Sequence, residues 1–149
     1  MNFSIEPISE VWSDVQKLAQ AHWSETQMAK DGEICNPLLS RYHNYEAIGC
    51  YLQFMAWENG IAVGHCGMYL VPSMHTQELL GTEDTWFLLP EYRKGRNAIR
   101  FYNFVEDEMN KRGATKIIMT AAPYNKAGRI MEYLGYKLAS YNYSKTLQD

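Results

Sequence analysis

The sequence predicts a mixed α+β domain with a central, mostly antiparallel sheet. Three successive segments between residues 52 and 89 alternate apolar and polar side chains and are joined by turn signals, as in an antiparallel meander. A helix-period segment and a short β-branched segment follow, up to residue 121. Because a strand, a helix and a strand in that order form a right-handed parallel crossover, the order indicates one sheet with both kinds of strand pair, flanked by about four helices.

Length and charge favour a single globular domain over residues 1–149. The chain is long enough to bury a substantial core, and its apolar and aromatic content is that of a folded protein. Its formal net charge is −3, which argues against a protein that binds nucleic acid through overall charge. The cations are unevenly distributed, however, because Arg93, Lys94, Arg96 and Arg100 lie close together.

Cysteine and histidine usage predicts a reduced, metal-free protein of the cytoplasm. Cys35, Cys50 and Cys66 are scattered and odd in number, which indicates free thiols and not a disulfide framework. The histidines do not show the spacing of metal ligands. The N-terminal residues lack the basic and apolar regions of a signal peptide, and no apolar run approaches the roughly 18 residues that a membrane span requires.

The first half of the chain is predicted to contain one strand and two helices. Residues 2–7 alternate as a strand, and Ser9 is expected to cap a helix that ends near Trp23. After a stretch of turn signals, Asn44 is expected to cap a second helix that runs to about Tyr51. The many aromatic residues of this region either cover the sheet edge or line a substrate pocket, and both interpretations stay open.

The remaining strands follow from alternation and turn residues. They are predicted at 52–57, 61–71, 77–89 and 115–121, and residues 136–147 are predicted to form a last strand or hairpin. Asn59-Gly60 is a strong hairpin signal between the first two of these. A kink is possible at Gly81, and a last helix is expected from the turn at Pro123-Tyr124-Asn125 through Leu134, with Gly135 as its cap.

The strand, basic loop and helix over residues 84–113 predict an anion site. The strand residues Trp86–Leu89 are apolar, and apolar residues recur every three to four positions in the helix. The first amides of a helix have no internal partner and lie at the positive end of its dipole, and the loop 93–98 adds three cationic side chains. A diphosphate is the natural ligand for such a loop, although the glycine spacing of a Rossmann or P-loop site is absent.

Two segments resemble motifs of the GNAT superfamily of acetyl-CoA-dependent N-acetyltransferases. Motif A follows the pattern Arg/Gln-x-x-Gly-x-Gly/Ala; Arg93 and Ala98 fit its ends, while the glycine stands one place early at Gly95. Asn125 to Tyr136 resembles motif B, an Asn and a short helix that closes on Leu-Gly-Phe/Tyr. The resemblance covers roughly residues 58–147, and it implies a GNAT-like sheet in which the two strands beside the loop splay apart.

The resemblance implies that acetyl-CoA lies against the end of the strand and the following loop. Backbone amides of the loop would hold the diphosphate, main-chain groups of the preceding strand would contact the pantetheine arm and the reacting carbonyl, and the Asn of motif B would touch the arm. The cofactor-binding residues so implied are Leu88, Leu89, Arg93, Lys94, Gly95, Arg96, Asn97, Ala98 and Asn125.

The reaction of such an enzyme also requires a base, because an amine is mostly protonated at neutral pH. The family often has a Glu on this strand where the chain has Asp84, which is therefore the predicted base, with Glu83 as the alternative. Neighbours on a strand point to opposite faces, so only one of the two is expected to face the cleft. The family's general acid is a Tyr at the place of Met131, which has no proton to donate, and Tyr124 is the alternative donor.

Two functional interpretations remain open. In the first, the chain transfers acetyl from acetyl-CoA directly to an amine of a small molecule or a protein. In the second, it is a catalytically weak or inactive module that binds CoA and regulates or binds a partner; Met131 favours this interpretation and Asp84 opposes it. Nucleic-acid and membrane partners are not expected, and the chain is a monomer or a homodimer.

Overall fold

A five-stranded sheet and its flanking helices make up most of the structure, a computed structural model that describes residues 1–147. The described chain divides into two compact units, Met1–Met119 and a second from Thr120 onward. The first unit contains β1 (Asn2–Glu6), α1 (Ile8–Trp23), α2 (Gln27–Lys30), α3 (Leu39–Ala47), β2 (Tyr51–Glu58), β3 (Ile61–Pro72), β4 (Leu79–Leu88), a 3-10 turn (Pro90–Tyr92), α4 (Asn97–Lys111) and β5 (Lys116–Ile118). The second contains α5 (Ala127–Tyr133).

The sheet order follows the chain, β1-β2-β3-β4-β5. The first three pairs are antiparallel and β4 pairs with β5 in parallel, so the predicted mixed α+β fold with a mostly antiparallel sheet is confirmed. Asn59 and Gly60 both have positive φ, 50° and 78°, as the predicted two-residue hairpin between β2 and β3 requires.

Each face of the sheet packs on a helix through its own apolar cluster. On one face, Phe101, Val105 and Met109 of α4 pack with sheet residues such as Phe54. On the other face, α1 presents Ile8, Val11, Val15 and Leu18, the stripe expected of an amphipathic helix, to a second group of sheet side chains.

The predicted cap of α1 is wrong, because the helix begins at Ile8 and Ser9 lies inside its first turn. The Ile8 amide donates a hydrogen bond to the Glu46 carboxylate, 2.8 Å away, so a residue distant in sequence takes the role expected of Ser9. The end of α1 at Trp23 is confirmed. The four-residue helix α2, capped by the Thr26 side chain, was not predicted, and it raises the described α-helices to five.

The second predicted helix begins earlier and ends earlier than expected. Asn44 lies inside α3 and is not its cap. Tyr42 of this helix packs on the ring of Trp12 at 5.9 Å between centroids and on that of Tyr51 at 5.2 Å. Gly49 follows with φ of 75°, which ends the helical path and lets Tyr51 start β2.

In the second unit, the short helix is confirmed, while the predicted last strand is wrong. Gly135 has φ of 91°, and the Tyr136 amide donates to the Met131 carbonyl, so a glycine ends α5 as expected. Residues 136–147 form no strand, since alternation of side chains makes a strand only where a neighbouring strand supplies hydrogen bonds. Over the described residues, no helix combines the length and the apolar character that crossing a membrane demands.

Candidate active site

A β-bulge places Asp84 on the face of the sheet that packs against α1. Gly67 of β3 pairs with Thr85 and the next residue, Met68, pairs with Glu83, so Asp84 is an extra residue on β4 with no partner across the ladder. A bulge bends the strand and changes the direction of the side chain beside it. Consequently two consecutive residues, Asp84 and Thr85, line the same cavity.

Glu83 lies on the opposite face of the sheet. Residues that pair directly across two strands share a face, and the partner of Glu83 is Met68, which belongs to the cluster that packs against α4. Of the two predicted carboxylates, Asp84 is therefore the one that faces the cavity on the α1 side.

Two tyrosines hold the Asp84 carboxylate. The Tyr69 hydroxyl donates a hydrogen bond to Asp84 Oδ1 over 3.3 Å, and Tyr42 donates a second. Solvent in the cavity reaches the carboxylate, but protein surrounds its other sides, and this loss of hydration raises the pKa of Asp84 above its ordinary value. The two hydrogen bonds oppose that shift, because they favour the ionised form.

The cavity that Asp84 faces has a volume of about 370 Å³. Its polar lining includes His22 from α1, His65 from β3, Tyr51 from β2 and Tyr42 from α3. A wider hollow of about 880 Å³ adjoins it and shares Tyr42, but none of the lining residues of that hollow is a carboxylate. Of the two, the smaller cavity is therefore the one that has a carboxylate in its lining.

The two histidines of the cavity differ in their hydrogen bonds. His22 Nδ1 lies 2.9 Å from Thr85 Oγ1, and the His22 ring stacks on Phe87. His65 is 1% exposed, and among the described residues neither of its ring nitrogens has a hydrogen-bond partner. Burial is the main cause that lowers the pKa of His22, and it lowers the pKa of His65 to about 3, so both rings are neutral at pH 7.

The loop before α4 presents a run of free amides. In residues 1–147, none of the backbone amides from Lys94 to Ile99 has a hydrogen-bond acceptor, and no side chain caps α4. Gly95 has φ of 64°, a conformation that glycine adopts without strain. The Arg93 amide, in contrast, already donates to the Pro90 carbonyl over 3.2 Å. The free amides and the helix dipole therefore point to an anion at residues 94–99.

The Arg93 side chain is held by contacts with the protein itself, at the end of β4. Its Nε donates to the Leu88 carbonyl over 2.6 Å, and its guanidinium pairs with Glu25 at 2.8 Å. The same group lies 5.1 Å from the ring centre of Phe87. The side chain thus ties the end of β4 to the segment after α1.

Within the first unit, β4 has no paired strand on the side of β5 beyond Thr82, and we call this the open edge of β4. The parallel pair extends only over Leu80–Thr82 and ends before the bulge, while the splaying of the two strands that the resemblance implies stays a prediction. The Leu89 amide donates to the Val63 carbonyl on β3. Since successive residues of a strand direct their amides to opposite sides, the Leu88 amide faces the open edge, and of the two it is the better placed for a ligand there.

The predicted residues of the second unit lie around the start of α5. Tyr124 is exposed, and the Asn125 side chain accepts a hydrogen bond from the Ala127 amide over 2.9 Å, which is the geometry of an Asx turn just before α5. Met131 is buried within α5. The proton donor predicted at Tyr124 and the cofactor contact predicted at Asn125 stay predictions.

Sequence reasoning did not single out Tyr42, Tyr69, His22 or Thr85 as neighbours of Asp84. The aromatic density before and within β2 was one usable signal, since one of its two interpretations was a pocket lining. Nothing in the sequence marks the bulge, because a bulge depends on the register between β3 and β4.

Comparison with known proteins identifies the family of this chain. The model of the acetyltransferase (GNAT) family matches residues 12–136. The chain therefore belongs to the GNAT acetyltransferase family, which confirms the resemblance seen in its two motifs. A search among curated protein sequences finds no match.

Solved structures share the fold at low sequence identity. An aminoglycoside acetyltransferase from an uncultured soil metagenomic sample, in complex with sisomicin, is 8% identical with a TM-score of 0.77, over 99% of this chain and 96% of that one. A ribosomal-protein-alanine N-acetyltransferase from Brucella melitensis biovar Abortus 2308 is 15% identical with a TM-score of 0.69, over the full length of both chains. An acetyltransferase from Trypanosoma brucei is 16% identical with a TM-score of 0.73, over 98% of this chain and 99% of that one.

Proposed function

We propose that this chain transfers an acetyl group from acetyl-CoA directly to an amine acceptor, without a covalent enzyme intermediate. The observation that carries the proposal is the layout of β4. Its bulge directs the Asp84 carboxylate into a small cavity, and its end leads into the free amides of residues 94–99. In this proposal, Asp84 is the base, and the loop that follows the same strand is the anion site.

The residues of the loop fit the diphosphate of acetyl-CoA. Six consecutive amides, Lys94 to Ile99, have no acceptor in the part of the chain that the structure describes, and Lys94 and Arg96 are exposed beside them. The open edge of β4 offers the Leu88 amide to an extended arm. When bound, acetyl-CoA supplies the activated acetyl thioester.

Asp84 is the proposed base of the reaction. Its raised pKa makes the carboxylate a better proton acceptor than an ordinary surface carboxylate. Tyr69 and Tyr42 fix the carboxylate in place, so the proton of the incoming ammonium is transferred at a defined point of the cavity. Glu83, on the other face of the sheet, is not proposed for this role.

A second candidate, a module that binds CoA without turnover, is favoured by one observation. The position that holds a proton-donating Tyr in the family is the buried Met131, which cannot donate. In the proposed enzyme the leaving thiolate departs without that donor or with the help of Tyr124.

The experiment measures acetyl-CoA binding by thermal shift and turnover by release of free thiol with a panel of amines. A ligand that binds the native state stabilises it, by about 2.7 kcal/mol at one hundred times its Kd. Turnover with at least one amine supports the enzyme, whereas binding without turnover supports the second candidate. Absence of any shift at millimolar acetyl-CoA contradicts both.

A matched pair of variants tests the loop in the same assay. The double variant Lys94→Glu and Arg96→Glu places negative charge beside the free amides, and we expect acetyl-CoA affinity to fall by about tenfold or more. Lys17→Glu, a reversal at an exposed position of α1, is the control and should leave affinity unchanged. Equal losses in both variants would remove the loop as the binding site.

A further inference from the structure

The charge of the cavity beside Asp84 restricts which ligands can bind there. Among its lining residues in the described chain, Asp84 is the only Asp, Glu, Lys or Arg. His22 and His65 are neutral at pH 7, since burial lowers the pKa of each. The cavity therefore favours a cation and gives an anionic group no partner.

Its walls and its size suit a small ammonium group. Trp23, Tyr42 and Tyr51 line the cavity, and the faces of such rings attract a cation. The volume of about 370 Å³ corresponds to about a dozen non-hydrogen atoms, if each occupies about the 30 Å³ of a water molecule. A short amine fits inside, whereas a folded protein surface does not.

His65 offers a second polar contact for a ligand in the same cavity. Buried polar groups almost always have a hydrogen-bond partner, yet both ring nitrogens of His65 lack one among the described residues. A neutral imidazole offers one N–H donor and one lone pair, and a hydroxyl pairs with either because it both donates and accepts. An alkyl group at this place would leave the ring unsatisfied.

The spacing along β3 relates His65 to Asp84. His65 lies two residues from Gly67, which pairs with Thr85, the neighbour of Asp84. Two residues of a strand span about 7 Å and neighbouring strands lie about 5 Å apart, so one small molecule with polar groups several bonds apart can reach both residues.

We propose that the cavity takes a short amino alcohol, with its ammonium on Asp84, its hydroxyl on His65 and no acid group. This inference rests on the proposed function and names its acceptor class. The acceptor amine gives its proton to Asp84, and the hydroxyl selects the substrate.

Calorimetry on the full chain without acetyl-CoA tests the binding part alone. The longer probes are 5-amino-1-pentanol, hexylamine, in which a methyl replaces the hydroxyl, and 6-aminohexanoate, in which a carboxylate replaces it. The shorter set, 3-amino-1-propanol, butylamine and 4-aminobutanoate, repeats the comparison. At one or both lengths, we expect the amino alcohol to bind about tenfold or more tightly than its two analogues. The alkylamine leaves the buried His65 ring without a hydrogen-bond partner, and the amino acid brings a carboxylate that nothing in the cavity pairs with. Equal affinity for amino alcohol and alkylamine at both lengths overturns the inference.

Variants of His65 assign the preference to the ring. His65→Phe should reduce the ratio of amino alcohol to alkylamine affinity to about one, and His65→Gln, which keeps a donor and an acceptor, should retain most of it. If His65→Phe fails to fold, loss of the ratio in His65→Leu and its retention in His65→Gln make the same test. His75→Phe, at an exposed loop position, is the control. A ratio that survives in the folded apolar variant overturns the inference.

The acetylation assay keeps the two proposals apart. Acetylation of amines without any preference for a hydroxyl contradicts the inference that the acceptor is an amino alcohol, and it leaves the proposed function standing. A preference for the amino alcohol that depends on His65, without acetylation of any amine, contradicts the proposed function and leaves the binding inference standing.

Discussion

The substitution Asp84→Asn separates the role of a base from that of a binding residue. Asparagine has nearly the same shape, and its carbonyl oxygen can still accept the hydrogen bonds of Tyr69 and Tyr42. It cannot take a proton from an ammonium at neutral pH. General base catalysis contributes about 10²- to 10⁴-fold, so kcat/KM should fall by that factor, or about 2.7 to 5.4 kcal/mol in the barrier.

The same substitution predicts a stability change of defined sign. The folded-state pKa of Asp84 is raised, so the stability it contributes is fully present below the unfolded pKa and is lost as pH rises through the folded pKa. The window thus begins near the ordinary aspartate value of about 3.9 and extends upward. Relative to wild type, Asp84→Asn should gain stability across that window, and at pH 7 it should be no less stable.

The assays are thiol release over a range of pH, acetyl-CoA titration, and denaturant unfolding from pH 3 to 8. Asp107→Asn, an exposed carboxylate on α4, is the control and should change neither rate nor stability. A rate within threefold of wild type would refute the assignment of the base. So would a parallel loss of acetyl-CoA affinity, because Asp84 would then act in binding.

Three further substitutions test other parts of the account. Tyr69→Phe removes a hydrogen bond that favours the ionised carboxylate, so the pKa of Asp84 should rise and the acid limb of the rate profile should move to higher pH, with a loss below about tenfold at the optimum. Arg93→Ala removes its bond to the end of β4 and should lower the free energy of unfolding by about 1 to 2 kcal/mol, measured in urea. Gly67→Ala brings a methyl group into the buried Tyr51 ring, 3.0 Å from its Cζ, and should cost about 1 to 3 kcal/mol in the same measurement.

Each of the three has a control within the chain. Tyr45→Phe changes the tyrosine whose ring meets that of Tyr69 edge-on, and it should leave the pH profile in place. Glu25→Gln breaks only the exposed ion pair with the Arg93 guanidinium and should cost less than about 1 kcal/mol. Gly128→Ala in α5 meets only an ordinary contact at 3.7 Å and should be neutral or slightly stabilising. A control that equals its partner variant contradicts the corresponding argument.

Turn residues and hydrophobic periodicity correctly predicted the elements whose conformation depends mainly on residues close in sequence. The hairpin at Asn59-Gly60 and the apolar stripes of α1 and α4 follow from turn chemistry and helix period. The start of α1 was mispredicted because its cap comes from Glu46, a residue 38 positions away. The tail at 136–147 shows the converse error, an alternating pattern without a paired strand.

The candidate site also has one part that local sequence predicts and another part that it does not. The loop 93–98 could be read from its cations and from the helix that follows, since both lie within one short stretch. The surroundings of Asp84 could not, because Tyr42 comes from α3, Tyr69 from β3, and the direction of the carboxylate from a bulge in the register. Contacts between residues distant in sequence decided what sequence patterns left open.

Amide NMR during a coenzyme A titration would test most directly whether the turn after β4 holds the diphosphate. The free amides from Lys94 to Ile99 should show the largest shifts, while the Leu89 amide, already bonded to Val63, should change little. Shifts confined to other parts of the chain, with residues 94–99 unchanged at saturation, would contradict the account.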